Sequence, residues 1–263
     1  ILEEDQKKEI KAVILTHSET STGTINDLKS ISSYIREHKT ALSIVDCVTS
    51  LGACNVPVDE WQLDIVASGS QKGYMIPPGL SFISMSQKAW DATEKSNLPK
   101  FYLNLKSYKK SLLSNSNPYT PAVNLVFALD ESLKMMQEEG LENIFLRHKK
   151  HKLAMSNAAK ALNLKLFADE KYLSPSITAI ETGEIDAEEF RKTIKNKFDI
   201  LLAGGQDHLK GKIFRVGHLG YVNDRDIITV ISAISNTLLD LGKITAQQAG
   251  EALVLASKYL EEN

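Results

Sequence analysis

Three short apolar runs, each closed by polar residues, constrain this chain more than any other feature of it. Val13-Ile14-Leu15 runs into Thr16-His17-Ser18-Glu19-Thr20, Ala41 to Val45 stops at Asp46, and Asp64 to Ala67 leads into Ser68-Gly69-Ser70-Gln71-Lys72. Runs of this length, rich in Val and Ile, read as buried parallel strands. A fourth apolar run covers Leu80 to Met85. Between the first two, Asp27 to His38 carries Leu28, Ile31 and Ile35 at helical spacing, with Asn26 or Asp27 as N-cap. Strands alternating with helical or long connections predict an α/β fold, a mostly parallel sheet with helices.

The second half changes character. Helices are predicted over 122–139, stopped by Gly140, and over 141–162, 187–197 and 224–241. Strands are predicted over 164–167, 176–181, 200–203 and 212–216. Residues 1–140 therefore read as a large α/β domain and 141–263 as a smaller C-terminal α+β domain. A chain of 263 residues, 43% hydrophobic and 24% charged, has material for both cores. A net charge of -2 with no basic stripe gives no reason to expect nucleic acid or an anionic membrane. No apolar run reaches the roughly 18 residues of a membrane span, so a cytoplasmic location is the expectation. The two cysteines, Cys47 and Cys54, are too few for a tetrathiolate metal site and read as small buried residues.

In open α/β sheets, ligands bind at the carboxyl ends of the strands. Here those ends supply a hydroxyl (Thr20), a carboxylate (Asp46) and an amine (Lys72). Pyridoxal phosphate (PLP) chemistry needs such a set. An amine forms an imine and shuttles protons, and a carboxylate keeps the ring nitrogen protonated so that the ring accepts electrons.

The motifs Thr16-His17-Ser18-Glu19-Thr20-Ser21-Thr22-Gly23, Val45-Asp46-Cys47-Val48-Thr49-Ser50-Leu51-Gly52 and Ser68-Gly69-Ser70-Gln71-Lys72-Gly73, followed by Pro77-Pro78-Gly79, resemble the class V aminotransferases. The likeness is strongest to the alanine–glyoxylate and serine–glyoxylate (serine–pyruvate) branch. Lys212-Ile213-Phe214-Arg215-Val216-Gly217-His218-Leu219-Gly220 resembles a further motif of that branch. Cyanobacterial members labelled "soluble hydrogenase small subunit" are similar too. The resemblance implies that Lys72 is the Schiff-base lysine and proton shuttle. It implies that Asp46 pairs with the pyridine nitrogen, that Val48 packs on one ring face and that Thr20 bonds the ring oxygen. Gln71 and Ser70 would lie near the phosphate. Tyr119 and Thr120 would reach the phosphate of the neighbouring subunit in a homodimer, and Arg215 would clamp the substrate carboxylate.

Each residue also has an ordinary reading: Lys72 a solvated lysine, Asp46 a cap, Val48 core, Thr20 and Gln71 loop residues, Arg215 an ion-pair partner. His17 and His218 read as structural hydrogen-bonders, and Gly204-Gly205 as a turn. A cysteine desulfurase would have His, not Gln71, before the lysine. The family pattern further implies an earlier segment holding a glycine-rich phosphate loop and an aromatic stacked on the cofactor, and neither feature is found from Ile1 onward. Weak PLP occupancy and exposed apolar surface are therefore expected, and a non-catalytic subunit is the competing reading.

Overall fold

The computed structural model describes residues 1–261. In the first half, β1 (Ala12–Thr16), β4 (Leu42–Asp46), β5 (Ile65–Gly69) and β6 (Ser81–Met85) form one sheet in the order β1-β4-β5-β6. The first three strands are parallel and β6 is antiparallel to β5. Two short strands, β2 (Ser18–Glu19) and β3 (Thr24–Ile25), make a hairpin straight after β1. Helix α1 (Leu28–His38) starts where Asp27 caps it, the Asp27 carboxylate accepting from Ser30 N–H at 3.1 Å. That bond and the Ser30 hydroxyl hold the Asp27 pKa below its usual value.

Alternation decides what each strand buries. Val45 and Val66 join Leu28, Cys47, Val56 and Leu63 in a core beneath α1. Ile14, Ile44 and Ile65 stand in one row on the other face, where Ile14 is 79% exposed. The expectation of strands buried on both faces thus holds for one face, because no described element covers the row of Ile14. Asp46, two residues beyond Ile44, lies on that open face at the strand end.

The connection from β6 holds α2 (Gln87–Glu94), α3 (Leu105–Leu113) and α4 (Val123–Glu139). Neither α2 nor α3 is predicted from sequence; α2 buries one residue, Ala89, and α3 none, and at 8 and 9 residues each is too short for a sustained helical repeat. Gly140, at φ +81°, turns α4 into α5 (Leu141–Ala161).

The second sheet runs β7 (Lys165–Leu166), β8 (Ile177–Glu181), β10 (Ile213–Gly217), β9 (Ala203–Gly204), all antiparallel. Helices α5, α6 (Ala187–Phe198), α7 (Asp224–Asp240) and α8 (Ala246–Glu261) complete this half. Phe214, Ile180 and Val216 meet Ile227, Ile231, Ile234, Leu238 and Met155 in the largest core. Burying each such side chain contributes about 1.5–3 kcal/mol. The strand predicted over 200–203 is cut to Ala203–Gly204: Asp199, left-handed at φ 56°, ends α6, and Leu201 is 78% exposed. Helix α8 lies beyond the predicted elements; its buried Ala249, Ala252 and Ala256 are small and give a faint apolar signal. Among the described residues, no helix is long and apolar enough to cross a membrane.

Candidate active site

The ends of β1, β4 and β5 share one edge of the first sheet. Pairing continues past the strands: His17 N–H donates to Asp46 O at 2.9 Å, and Cys47 N–H to Ala67 O at 2.9 Å. The side chain of Asp46 is exposed, and its Oδ1 accepts from Val48 N–H at 2.8 Å. Its other oxygen has no protein partner among the described residues. Val48 is half-buried and stands outside the core beneath α1. The Cys47 thiol is buried, and burial pushes its pKa up to about 11; the Cys54 thiol is pushed up to about 12. Both are held protonated, as small core residues rather than nucleophiles.

Lys72 sits in the turn after β5. Ser70, fully buried, braces that turn from within: its Oγ donates to Pro77 O at 2.8 Å and accepts from Leu80 N–H at 3.1 Å. The Lys72 amine makes no hydrogen bond or ion pair among the described residues and is half-buried. Gln71 folds back, with Oε1 3.1 Å from where a Cβ on Gly69 would stand.

Two glycines bring the Asp46 loop onto the Lys72 loop. A Cβ on Gly73 would lie 2.1 Å from Leu51 O, and Gly52, at φ +82°, packs against the Gly73 backbone in return. Neither partner is a flexible side-chain end, so the loops would have to separate. Gly73→Ala is expected to destabilise the fold by about 1–3 kcal/mol, the cost of overpacking. A urea denaturation midpoint equal to wild type would contradict this.

Arg215 comes from the other half of the chain. Its neighbours Phe214 and Val216 point into the helical core, so alternation sends Arg215 to the opposite face. There Nε donates to Gly204 O at 2.8 Å and Nη1 to Thr20 O at 2.7 Å. Three of its five N–H groups remain after these two bonds. Burial lowers its pKa, Arg191 lowers it further, and Glu19 pulls it back up. Thr20 is thus held through its carbonyl, and its hydroxyl is not bonded to protein among the described residues.

The structure places Thr20, Asp46, Val48, Lys72 and Arg215 around this edge. Among the described residues, no bond joins Tyr119 or Thr120 to them. Tyr119 lies among Phe101, Tyr102 and Tyr108, its hydroxyl donating to Phe101 O at 2.8 Å, and Thr120 is exposed. His218 is fully buried and bonds through Nε2 to Thr178 Oγ1 at 2.9 Å. The ring of His17 makes no hydrogen bond among the described residues; it meets Trp61 edge-on at 6.4 Å, and burial lowers its pKa to about 4.

A set of hydroxyls escapes sequence reading altogether. Ser18 Oγ lies 2.8 Å from Ser174 Oγ, which lies 2.9 Å from Ser176 Oγ, all buried. Ser174 N–H donates to Gly23 O at 2.9 Å, and Thr49 Oγ1 to Ser18 O at 2.9 Å. These bonds tie the Thr20 hairpin to both sheets. No local signal marks them, since the partners Ser18 and Ser174 are 156 residues apart.

Comparison with known proteins is consistent across sequence and structure. The chain is 59% identical over 241 residues to the "Soluble hydrogenase 42 kDa subunit" of Anabaena cylindrica, covering 92% of this chain and 63% of that one. It is 34% identical to the serine–glyoxylate aminotransferase of Arabidopsis thaliana, over 100% of this chain and 66% of the relative. The crystal structure of ureidoglycine–glyoxylate aminotransferase from Bacillus subtilis superposes with a TM-score of 0.89 at 33% identity, covering 98% of this chain and 68% of that one. The chain therefore spans about two thirds of the length of the curated relatives it matches. Residues 1–209 match the family described as Aminotransferase class-V, and with these relatives the match shows that the chain belongs to the class V aminotransferases.

Proposed function

We propose that this protein transfers an amino group from a small amino acid, serine or alanine, to glyoxylate or pyruvate, with PLP held at Lys72. The observation that carries the reading is the pairing of an unpartnered amine, Lys72, with a half-free carboxylate, Asp46, on touching loops at one sheet edge. The residues fit the cofactor. The open oxygen of Asp46 suits a protonated ring nitrogen, Val48 offers an apolar surface beside it, and the free Thr20 hydroxyl suits a ring oxygen. When bound, PLP supplies an electron sink for the carbanion formed at the substrate's α-carbon.

The chain's own residues do the rest. Lys72 Nζ is the nucleophile and then the base that moves the α-carbon proton. Asp46 holds the ring nitrogen's proton in place. Arg215 orients the substrate carboxylate with its remaining N–H groups, backed by Gly204 and Thr20. Ser70 acts from behind, by fixing the turn that carries Lys72. The reading treats residues 1–140 as the cofactor-binding part and includes a homodimer, supported by the exposed Leu112, Leu113 and Phe127 flanking the Tyr119 segment.

The test is direct. Protein supplied with PLP should form glycine from glyoxylate with serine or alanine, or alanine from pyruvate with serine, together with the matching 2-oxo acid, measured by chromatography; no amino-acid product from any of these pairs would overturn the reading. Arg215→Lys keeps the charge and loses the fork. It is expected to raise KM about 10- to 100-fold, the effect of losing a charge-assisted hydrogen bond, with a smaller change in kcat.

A further inference from the structure

We propose that His148 is a positioning residue for Lys72, acting through Gly220. The inference rests on the reading of Lys72 given above and concerns what holds that lysine in place. Gly220 closes the motif that begins at Lys212 and has φ +84°. A Cβ added there would lie 3.2 Å from the Lys72 carbonyl oxygen and 3.4 Å from Met75 Cγ. Gly220 is thus the wall behind the Lys72 turn on the side facing the second half of the chain.

Two consecutive residues of α5 grip that wall. Gly220 N–H donates to His148 Nε2 at 3.2 Å, and Gly220 O accepts from Arg147 Nη1 at 2.8 Å. Arg147 is itself anchored: it forks onto Glu139 at the end of α4, with Nε to Oε1 at 2.6 Å and Nη2 to Oε2 at 3.0 Å. Its Nη1 also reaches Val222 O at 3.1 Å. His148 is anchored through its second nitrogen, Nδ1, 2.7 Å from Ile144 O. Both polar groups of one glycine are therefore held by groups that are held in turn.

The chemistry of this contact defines the state of the ring. Nδ1 faces a carbonyl and must carry the hydrogen; Nε2 faces an N–H and must present its lone pair. His148 is fully buried, and burial lowers its pKa to about 4; the bond to Ile144 O opposes this, Arg147 and His151 add to the lowering, and Glu139 pulls slightly the other way. The neutral form that Gly220 requires is thus the form the site maintains. The bond to Ile144 O alone would fix the tautomer and satisfy the helix, but it would leave the Nε2 lone pair unused; Gly220 N–H is what uses it. Nothing in a bare sequence links position 148 to position 72, yet one hydrogen bond and the space Gly220 leaves beside the Lys72 carbonyl connect them.

Two variants separate positioning from packing. Asparagine places its amide near Nδ1 and cannot reach Gly220; glutamine reaches the Nε2 position and restores an acceptor. Added PLP is fixed onto lysine with borohydride, and the labelled peptides are quantified by mass spectrometry beside a thermal unfolding midpoint. Lys72 should take most of the label in wild type. His148→Asn should lower its share about two- to tenfold, the effect of one lost hydrogen bond, and His148→Gln should restore it. Label on Lys72 unchanged in His148→Asn, or lost equally in both variants, overturns the proposal. Wild-type label falling mainly on other lysines overturns the reading of Lys72 and this inference with it. Should His148→Asn not fold, Gly220→Ala presses on the Lys72 carbonyl with His148 intact; unchanged labelling there also overturns the proposal.

Discussion

Lys72→Ala is expected to lower transamination about a thousandfold or more, because one substitution removes both the nucleophile and the proton-transfer base. The same variant should keep its stability. The Lys72 amine has no bond to the described protein, and Ser70, Gly73 and Gly220 brace the turn through backbone and buried contacts. Its unfolding free energy from urea denaturation should match wild type within about 0.5 kcal/mol, as for a change away from special features. The pair of measurements matters more than either alone. Lost activity with unchanged stability assigns the amine to chemistry, whereas activity within about tenfold of wild type would remove Lys72 from the mechanism.

Acid is expected to destabilise the fold steeply between pH 6.5 and about 4. Four histidines, His17, His148, His151 and His218, have pKa values lowered from 6.5, to about 4 for His17 and His148 and about 3 for His218. Burial is the leading cause in each, and in His151 the Asp224 carboxylate, 2.9 Å away, opposes it. Above pH 6.5 all four are neutral in both the folded and unfolded chain and contribute nothing to the pH dependence. Below it the unfolded chain takes up protons that the folded chain refuses, so stability falls as pH falls. Each histidine contributes a slope of up to about 1.4 kcal/mol per pH unit, levelling off once its folded-state pKa is passed. Together they amount to several kcal/mol, a large part of the about 5–15 kcal/mol typical of a folded protein. Asp5 adds nothing in this window. Backbone bonds from Ile10 and Glu9 hold its pKa near 2, so the stability it contributes is lost only at lower pH, below its usual 3.8. Urea denaturation at pH 7.5 and pH 5 measures the difference; equal stabilities would contradict it. His148→Gln should make the slope shallower by one proton's worth.

The strands and their chemistry were legible because both depend on local order. A strand's apolar run and the polar residue that ends it are neighbours in sequence. Asp46 and Lys72 could therefore be placed at one sheet edge from β4 and β5 alone. Helix α1 was legible to within one residue of its cap, Asn26 or Asp27, because the cap acts only three residues away, Asp27 on Ser30. Helices α2 and α3 were not, because 8 and 9 residues are too few for an apolar repeat to tell a helix from a loop. The expected place of Ser70 near the phosphate does not show its work in the turn: only the folded loop shows its hydroxyl spanning Pro77 and Leu80.

By itself, then, the amino-acid order determined which residues could be amine, carboxylate and guanidinium, and that the carboxylate stands at a strand end and the amine just past one, while Arg215 lies within a strand. Only the tertiary structure decided what braces them. Arg215 grips the carbonyl of Thr20, Ser18 meets Ser174, and Gly220 stands behind Lys72 with His148 and Arg147 holding it. The physical reason is that side-chain alternation reports which face of an element is apolar, while the identity of the group packed against it depends on how distant elements dock. Contacts between partners dozens of residues apart leave no trace in local pattern, and the bonds by which His148 and Arg147 hold Gly220 behind Lys72 are of that kind.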